Sequence, residues 1–307
     1  MAGPISTGNF AAALWPGINS WYGGAYSEVP EVWNRIFEVR QSDKAYEEIY
    51  GLSSFGLAPV KAQGQGIEYD SEQQGFLTRF QNVVYALGFQ VTYEEFQDNL
   101  YAQVGRQRAR RLAFSMRTTK EVVHANIINR GYNAAQVGGD GVSLFNSAHP
   151  NVAGGTFSNI LATAADLSEA ALEQACIDIS KFTNDRGLNI FVMPRALLIP
   201  PDLEFEATRI LKSIQQNDTA NNAVNALRDL GKIPDGVMTS VYLNADADQW
   251  QLLNRNVPDG LISFQREESF APSEDNDFDT MNAKYRSYMR FVPYWADPRC
   301  VFGSPGA

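Results

Sequence analysis

The sequence predicts an α+β fold that combines a projecting hairpin with an unusually long helix. Three observations support this prediction. Residues 57–91 alternate in polarity on either side of a polar turn, which is typical of a β-hairpin. Residues 92–131 carry apolar side chains at helical spacing. Beyond them, shorter helical and strand patterns follow one another without a fixed-period repeat.

The N-terminal segment combines aromatic side chains with frequent glycine and proline. Its aromatic residues are Phe10, Trp15, Trp21, Tyr22 and Tyr26. The segment is too apolar for a disordered tail, and its glycines and prolines argue against a regular element. We therefore expect an irregular arm that lies on another surface, within the chain or on a neighbour. A short helical stretch within residues 28–51 follows, anchored by Trp33, Ile36 and Phe37.

The predicted hairpin turns at Asp70–Gly75. Its alternating residues are Ile67 and Tyr69 in the first arm and Phe76, Thr78 and Phe80 in the second. Its many small and polar residues leave it little hydrophobic face, so we expect it to project. Because a two-stranded ribbon is marginal in isolation, a projecting one indicates a partner surface.

The predicted long helix opens with a capping box formed by Thr92 and Glu95. Its apolar stripe is Phe96, Leu100, Val104, Leu112 and Met116. Gly131 is the expected stop. About 38 residues at 1.5 Å each give a rod of about 57 Å, more than a compact domain of this size requires. Gly105 or the Thr118–Thr119 pair is a possible bend.

The remaining elements are shorter. The patterns predict helices over 168–182, 202–215 and 221–231, and strands over 188–194, 237–243, 261–268 and 284–292, with residues 195–201 following the first strand. The last of these helices ends at Gly231.

Composition and charge exclude several classes of protein. The net charge of −10 and pI of about 4.8 disfavour broad binding to nucleic acid, which needs dense Lys and Arg. The one basic cluster, Arg106–Arg111, is typical of a solvated helix face or of a partner for acidic neighbours. Cys176 and Cys300 are isolated, which fits a reducing cytoplasm. No signal peptide or membrane span is evident, so we expect a soluble protein made inside the cell.

A search for catalytic residues finds no convincing constellation. Ser147 and His149 lie in the loop "LFNSAHPNVAGGTFSN", residues 144–159, but no G-x-S-x-G elbow surrounds the serine. A base two residues from a hydroxyl rarely reaches it with proper geometry. We expect His149 to bond the backbone in a turn before Pro150. His124 has no second histidine at helical spacing, so a helical zinc site is not expected.

Candidate cation and phosphate sites are equally weak. Residues 244–249 resemble the start of a calcium loop, but Gln249 replaces the required glycine and Arg255 the bidentate glutamate. The acidic turn Ser273–Asp279 is more simply a solvated turn than a cation site. Gly138–Gly141 lacks the residues of a phosphate-binding loop and is expected to be a connector.

Several sequence blocks carry a resemblance to one family. The loop reads "DGVSLFNSAHP" and then "GGTFSN"; later blocks read "DLSEAALEQACIDISKFTNDRGLNI", "PRALLIPPDLEFEATRILKS", "EDNDFDTMNAKYRSYMRF" and "WADPRCVFGSPGA". Together they resemble the Mu-like phage major head subunit family over roughly residues 30–307. The resemblance implies a major capsid protein of a tailed double-stranded-DNA phage with the Hong Kong 97-type fold.

That fold has an N-terminal arm, an extended loop, a peripheral domain built on a long spine helix, and an axial domain. The resemblance implies these parts at residues 1–54 for the arm, 55–91 for the extended β-hairpin loop, 92–165 for the peripheral domain with its spine helix, 166–275 for the axial domain, and 276–307 for a return to the peripheral domain.

The implied function is assembly, with no catalytic, cofactor-binding or metal residue. Subunits would form hexamers and pentamers that tile an icosahedral shell, assembled in the bacterial cytoplasm around packaged DNA that is not bound sequence-specifically. Pro150 and Gly154–Gly155 would fix the path of the loop, with Ser147 and His149 satisfying backbone groups. The arginines at 106, 108, 110 and 111 would face acidic neighbours or DNA.

Implied partners include a portal protein and a decoration protein. Some relatives carry a scaffolding segment before the arm; this sequence leaves no room for one, so a separate scaffolding protein is expected. Some relatives also cross-link an extended-loop lysine. Lys61 is the hairpin's only lysine and is expected near its base, so we do not expect cross-linking.

Two alternatives stay open at this point. A hydrolase using Ser147 and His149 predicts loss of activity in Ser147→Ala. A monomeric binding module using the Ser273–Asp279 turn predicts a defined ligand and a stable monomer.

Overall fold

A computed structural model describes residues 8–92, 94–95, 101–215, 224–272 and 282–307. The helices are α1 (Gly8–Glu28), α2 (Trp33–Ile36), α3 (Tyr101–Asn129), α4 (Glu169–Ser180), α5 (Glu204–Lys212) and α6 (Ala226–Asp229). Short 3-10 turns cover Pro201–Leu203 and Pro298–Cys300.

The described strands form two four-stranded sheets and two smaller pairs. They are β1 (Glu38–Gln41), β2 (Tyr46–Leu52), β3 (Gln74–Gln81), β4 (Val83–Val91), β5 (His149–Pro150), β6 (Thr156–Phe157), β7 (Met193–Ile199), β8 (Val237–Thr239), β9 (Trp250–Arg255), β10 (Leu261–Pro272), β11 (Ala283–Trp295) and β12 (Val301–Ser304). One sheet has the order β1-β10-β11-β4 and the other β12-β9-β7-β8. Pairs β2-β3 and β5-β6 are two-stranded. This mixture confirms the predicted α+β class.

Each four-stranded sheet has its own hydrophobic core, and a third cluster packs residues of both sheets together. Helices α1 and α3 cover one face of the first sheet, where the buried residues include Ile18, Ala113, Met116, Tyr285 and Met289. Helices α4 and α5 cover the second sheet, where they include Leu172, Ile179, Leu197, Trp250 and Phe302. The burial of these side chains supplies the main driving force for each layer.

The N-terminal arm is regular, contrary to the sequence prediction. Residues 8–28 form helix α1, and Ile18, Tyr22 and Ala25 are buried at helical spacing. Gly23 and Gly24 lie where an added Cβ would meet nothing within 4 Å. A glycine costs a helix only about 1 kcal/mol, and burial of Ile18, Tyr22 and Ala25 offsets that cost. The expectation that the arm lies on another surface is confirmed, since that surface is helix α3 and the first sheet.

The ribbon begins earlier in the chain than predicted. Strand β2 pairs with β3 in an antiparallel register that sets Ile49 opposite Thr78, whereas residues 53–73 contain no strand. The predicted first arm around Ile67 and Tyr69 is therefore wrong, and so is the helical prediction beyond α2. Gly64, with φ of +87°, adopts a conformation that interrupts a strand. The predicted alternation of β3 is confirmed at its buried residues Thr78 and Phe80.

The long helix is confirmed over residues 101–129. Helix α3 runs without a break past Gly105 and Thr118–Thr119 over its 29 residues, which makes it about 43 Å long. Thr92 and Glu95 form the predicted capping box, with both reciprocal bonds at 3.2 Å. Phe96 and Leu100 lie outside the described residues. The helix ends at Asn129, two residues before the predicted stop at Gly131. A side chain does not fit at Gly131, because a Cβ there would lie 2.5 Å from the ring of Phe145.

Other elements differ in their bounds. The predicted strand 188–194 is displaced to β7. Residues 196–199 are fully buried in the sheet, whereas residues 188–192 follow the turn and form only an isolated bridge at Asn189. The predicted helices at 168–182, 202–215 and 221–231 are found as the shorter α4, α5 and α6, although residues 216–223 lie outside the described residues. Strands β9 and β12 were not predicted. Strand β12 pairs with β9, so the end of the chain returns to the second sheet.

Candidate functional site

His149 lies at the centre of a buried polar network. Its ring is fully buried; Nδ1 lies 2.6 Å from Asp140 Oδ2, and Nε2 lies 3.2 Å from Asn159 Oδ1. The prediction that His149 bonds the backbone is therefore wrong, since both partners are side chains. No local sequence pattern predicts these partners, because Asp140 and Asn159 stand in separate turns.

Asn159 ties this network to three backbone groups. Its Nδ2 donates to the carbonyl oxygens of Leu144 at 2.7 Å and Pro298 at 3.1 Å. Its Oδ1 accepts the backbone N–H of Asn146 at 2.9 Å. Because both amide hydrogens serve carbonyls, Oδ1 faces His149, and the histidine Nε2–H donates to it.

Ser147 takes no part in this network. Its side chain is exposed, and both ring nitrogens of His149 already have partners. General-base activation needs a hydrogen bond between the base and the hydroxyl. The pair therefore lacks the arrangement that a hydrolase would require.

Arg299 braces the other side of the loop. Its guanidinium lies 4.0 Å from the ring centroid of Phe157, and Phe157 stacks on His149 at 5.0 Å. The Nη2 atom of Arg299 donates to Asn151 Oδ1 at 2.8 Å. The predicted role of Gly154–Gly155 is confirmed, since both have positive φ and close the β5-β6 turn.

His124 is also a structural residue. Its Nδ1 lies 2.6 Å from the carbonyl oxygen of Lys120, and its Nε2 lies 2.7 Å from Ser263 Oγ. The ring packs against Trp33, and burial lowers its pKa to about 3. The ring is therefore neutral near pH 7 and joins α3 to the first sheet.

The remaining candidates for chemistry do not form a site. No group of three metal-ligating side chains occurs among the residues that the structure describes. The Ser273–Asp279 turn lies outside those residues. Cys176 and Cys300 are free and buried, and burial raises the pKa of Cys176 to about 11, which makes its thiol unreactive.

The most conspicuous exposed feature is the tip segment, residues 53–73 at the end of the ribbon. Its apolar side chains are exposed by 81% at Leu57, 98% at Val60 and 94% at Tyr69. The hydrophobic clusters contain no residue of this segment. Clustered exposed apolar side chains mark interaction surfaces. Lys61 lies within the tip segment, so the prediction that it lies near the hairpin base is wrong.

The basic cluster on α3 contains one arginine paired with a glutamate and three exposed arginines. Arg108 Nη2 lies 2.6 Å from Glu95 Oε1, and this arginine lowers the pKa of Glu95. Arg106, Arg110 and Arg111 are exposed. The helix therefore presents a basic face of three arginines to its surroundings.

Solved structures with the same fold are capsid and virus-like particles. A virus-like particle from Pyrococcus furiosus matches with a TM-score of 0.55 and 10% identity, covering 93% of this chain and 96% of that one. Mycobacterium phage Che8 matches at 0.54 and 13%, covering 91% and 93%. A bacteriophage JBD30 capsid decorated with minor capsid protein trimers matches at 0.55 and 13%, covering 70% and 92%.

The sequence comparisons point the same way. The family model described as phage capsid protein matches residues 78–303. A comparison with curated protein sequences finds no match. No helix among the described residues has the length and apolarity needed to cross a membrane.

Proposed function

This chain belongs to the phage capsid protein family, and from this premise we propose that hexamers and pentamers of it form the icosahedral shell of a tailed phage head. Its role as a major capsid protein is structural, and its fold is the predicted Hong Kong 97-type capsid fold. The hydrolase alternative is wrong, because His149 is committed to Asp140 and Asn159.

One observation carries the proposed mode of assembly: the exposed apolar tip segment stands at the end of a two-stranded ribbon. A monomer gains nothing from exposing Val60 and Tyr69, whereas a neighbouring copy can bury them. Each such contact is small, but a closed shell repeats it at every subunit. In this proposal the ribbon reaches over a neighbour, and the arm helix α1 stays on its own subunit.

The predicted domain boundaries carry over to this proposal with two changes. The second sheet, with α4 and α5, would be the axial domain that surrounds the capsomer axis, and we end it near residue 260 instead of 275 because β10 lies in the first sheet. The first sheet, with α3, would be the peripheral domain. Because β12 pairs with β9, we assign residues 301–304 to the axial sheet instead of to the peripheral return.

The partners are also proposals. The JBD30 capsid carries minor capsid protein trimers, which supports a decoration protein on this shell. A portal protein, a separate scaffolding protein and enclosed DNA without sequence-specific contacts stay predictions. The basic face of Arg106, Arg110 and Arg111 is suited to acidic neighbours or to DNA phosphates.

Negative-stain electron microscopy of the purified protein, with and without a crowding agent, tests the proposal. We expect shells, tubes, or rings of five or six subunits. The matched variant Val60→Ser/Tyr69→Ser should stay dispersed under the same conditions while keeping its circular dichroism spectrum. Wild-type protein that stays monomeric, even when produced with the scaffolding protein of its phage, would contradict the proposal.

A further inference from the structure

A tight turn between α4 and β7 presents Arg186 to the ribbon. The side-chain oxygen of Asn184 accepts the backbone N–H groups of Arg186 at 3.0 Å and Leu188 at 2.9 Å. Gly187 has φ of +77°, which lies in the left-handed region that favours glycine. These local bonds hold the turn in one conformation, so the position of the arginine is defined by the body of the subunit.

The guanidinium of Arg186 bridges both sides of the neck of the tip segment. Its Nε donates to the Ser54 carbonyl at 3.2 Å on the outgoing side. On the returning side, its Nη2 donates to the Ser71 carbonyl at 2.8 Å and to Asp70 Oδ1 at 3.2 Å. The other oxygen of Asp70 accepts the N–H of Gly56 at 2.8 Å. One side chain of the body therefore holds both chains of the neck.

This contact lies far along the ribbon from its root. At the root, Phe80 is buried in a small cluster with Ile262 and Phe264. Between root and neck, a cleft of about 350 Å³ separates the ribbon from the body. Without a second attachment the ribbon could swing about its root across this cleft, because isolated two-stranded ribbons have little rigidity of their own.

The contact between Arg186 and Asp70 is weak because both side chains are partly exposed to solvent. The side chain of Arg186 is 28% exposed and that of Asp70 is 42% exposed, so solvent screens the ion pair. An exposed pair of this kind changes an equilibrium by no more than about fivefold. The contact also leaves Val60 uncovered at 98% exposure. It therefore sets the direction of the tip segment without hiding its apolar surface.

We propose that Arg186 is a positioning residue for assembly, which fixes the direction in which the ribbon presents the tip segment to a second copy of the chain. The role rests on the proposed function, since a ribbon without a partner needs no direction. In this view the arginine lowers the entropy that the tip segment loses when a neighbour binds it.

A distance measurement on the free subunit tests the positioning directly. Nitroxide labels at Lys61→Cys and Ile177→Cys report the separation of the tip segment and helix α4 by pulsed electron paramagnetic resonance. The native cysteines Cys176 and Cys300 are buried and should not react with the label. We expect a narrow distribution with Arg186 present and a clearly broader one in Arg186→Gln.

Light scattering on unlabelled protein measures assembly as the second test. We expect the concentration at which shells appear to rise by up to about fivefold in Arg186→Gln. Arg186→Lys should fall between, because lysine keeps the charge but lacks the planar guanidinium that donates several hydrogen bonds at once. The matched control is Arg209→Gln, which removes an exposed arginine paired with Glu206 within α5 and should behave as wild type.

The outcomes separate the two proposals. An unchanged distance distribution in Arg186→Gln would overturn the positioning role. A broader distribution with unchanged assembly would reduce the arginine to a structural contact and overturn its role in assembly. If wild-type protein forms no particles, the proposed function fails, while the distance measurement still decides whether Arg186 holds the ribbon.

Discussion

Asn159 uses both ends of its side-chain amide inside the protein, where unpaired polar groups are costly. Asn159→Ala leaves the carbonyl of Leu144 and the N–H of Asn146 without this partner. Each buried unsatisfied group costs about 1–3 kcal/mol, so we expect the free energy of unfolding to fall by about 3 kcal/mol. Chemical denaturation of the free subunit measures this loss.

Asn133 provides a matched control for that substitution. Its side chain accepts the N–H of Ala135 at 2.9 Å in an exposed turn, where water can replace the lost bond. Asn133→Ala should therefore cost less than about 1 kcal/mol. Equal losses in the two variants would show that the buried network contributes nothing special to stability.

The buried ring of His124 makes stability depend on pH. Burial lowers its pKa in the folded protein from 6.5 to about 3, so below about pH 6.5 the unfolded chain binds a proton that the folded chain does not. Stability therefore falls as the pH decreases from 6.5 towards 3. Between pH 7.5 and 5, wild-type protein should lose about 2 kcal/mol more than His124→Gln.

Denaturation at a series of pH values measures this difference, and comparing wild type with the variant cancels the contribution of other titrating groups. The decisive part of the prediction is the direction in which the difference in stability changes with pH. A gap between the two proteins that stays constant over this range would mean that His124 becomes charged in the folded state.

At the scale of elements, the glycines of α1 and β4 should respond in opposite directions. An added Cβ meets nothing within 4 Å at Gly23 or Gly24, but lies 2.6 Å from the Tyr285 carbonyl oxygen at Gly88. Gly23→Ala/Gly24→Ala should stabilise the protein by about 1–2 kcal/mol through helix propensity. Gly88→Ala should destabilise it, because the neighbouring backbone of β11 must shift.

Thermal unfolding followed by circular dichroism compares these variants. The pair also tests whether α1 unfolds with the rest of the subunit. If the double alanine variant leaves the main transition unchanged while Gly88→Ala lowers it, the arm helix unfolds independently and the predicted gain does not reach the core.

Elements whose signal is local were predictable from the sequence. The stripe through Leu112 and Met116 predicted α3, and the capping box of Thr92 and Glu95 was found as predicted, because both patterns depend on neighbours three or four residues away. The arm was misjudged because its helix depends on burial against α3 and β11, which no local pattern contains. The contacts of Arg186 could not be predicted for the same reason, since its partners at Ser54 and Ser71 are more than a hundred residues away in sequence.

At the scale of the whole molecule, the hydrophobic clusters support folding, whereas the tip segment is available for assembly. Every hydrophobic cluster lies in the body and the ribbon root, and none includes a residue of 53–73. The subunit can therefore reach its fold without the segment that a neighbour would bury. The cost of this division is an exposed apolar surface on the free subunit, which favours association as soon as a second copy is present.

Removing the tip segment should therefore separate the two properties. Leu52 and Gln74 are already opposite each other in the β2-β3 ladder, so an Asn-Gly turn can replace residues 53–73. We expect a folded subunit whose free energy of unfolding is unchanged or higher by up to about 2 kcal/mol, because a shorter loop loses less entropy. Shells should not form, as judged by light scattering and electron microscopy.

The matched control keeps the length and the apolar residues of the segment and changes only polar ones, as Gln63→Ser/Gln65→Ser, and it should assemble as wild type does. Normal shells from the deletion variant would place the essential contact elsewhere, with the basic face of α3 as the next surface to test. An unfolded deletion variant would instead show that the tip segment contributes to folding, which its absence from every hydrophobic cluster argues against.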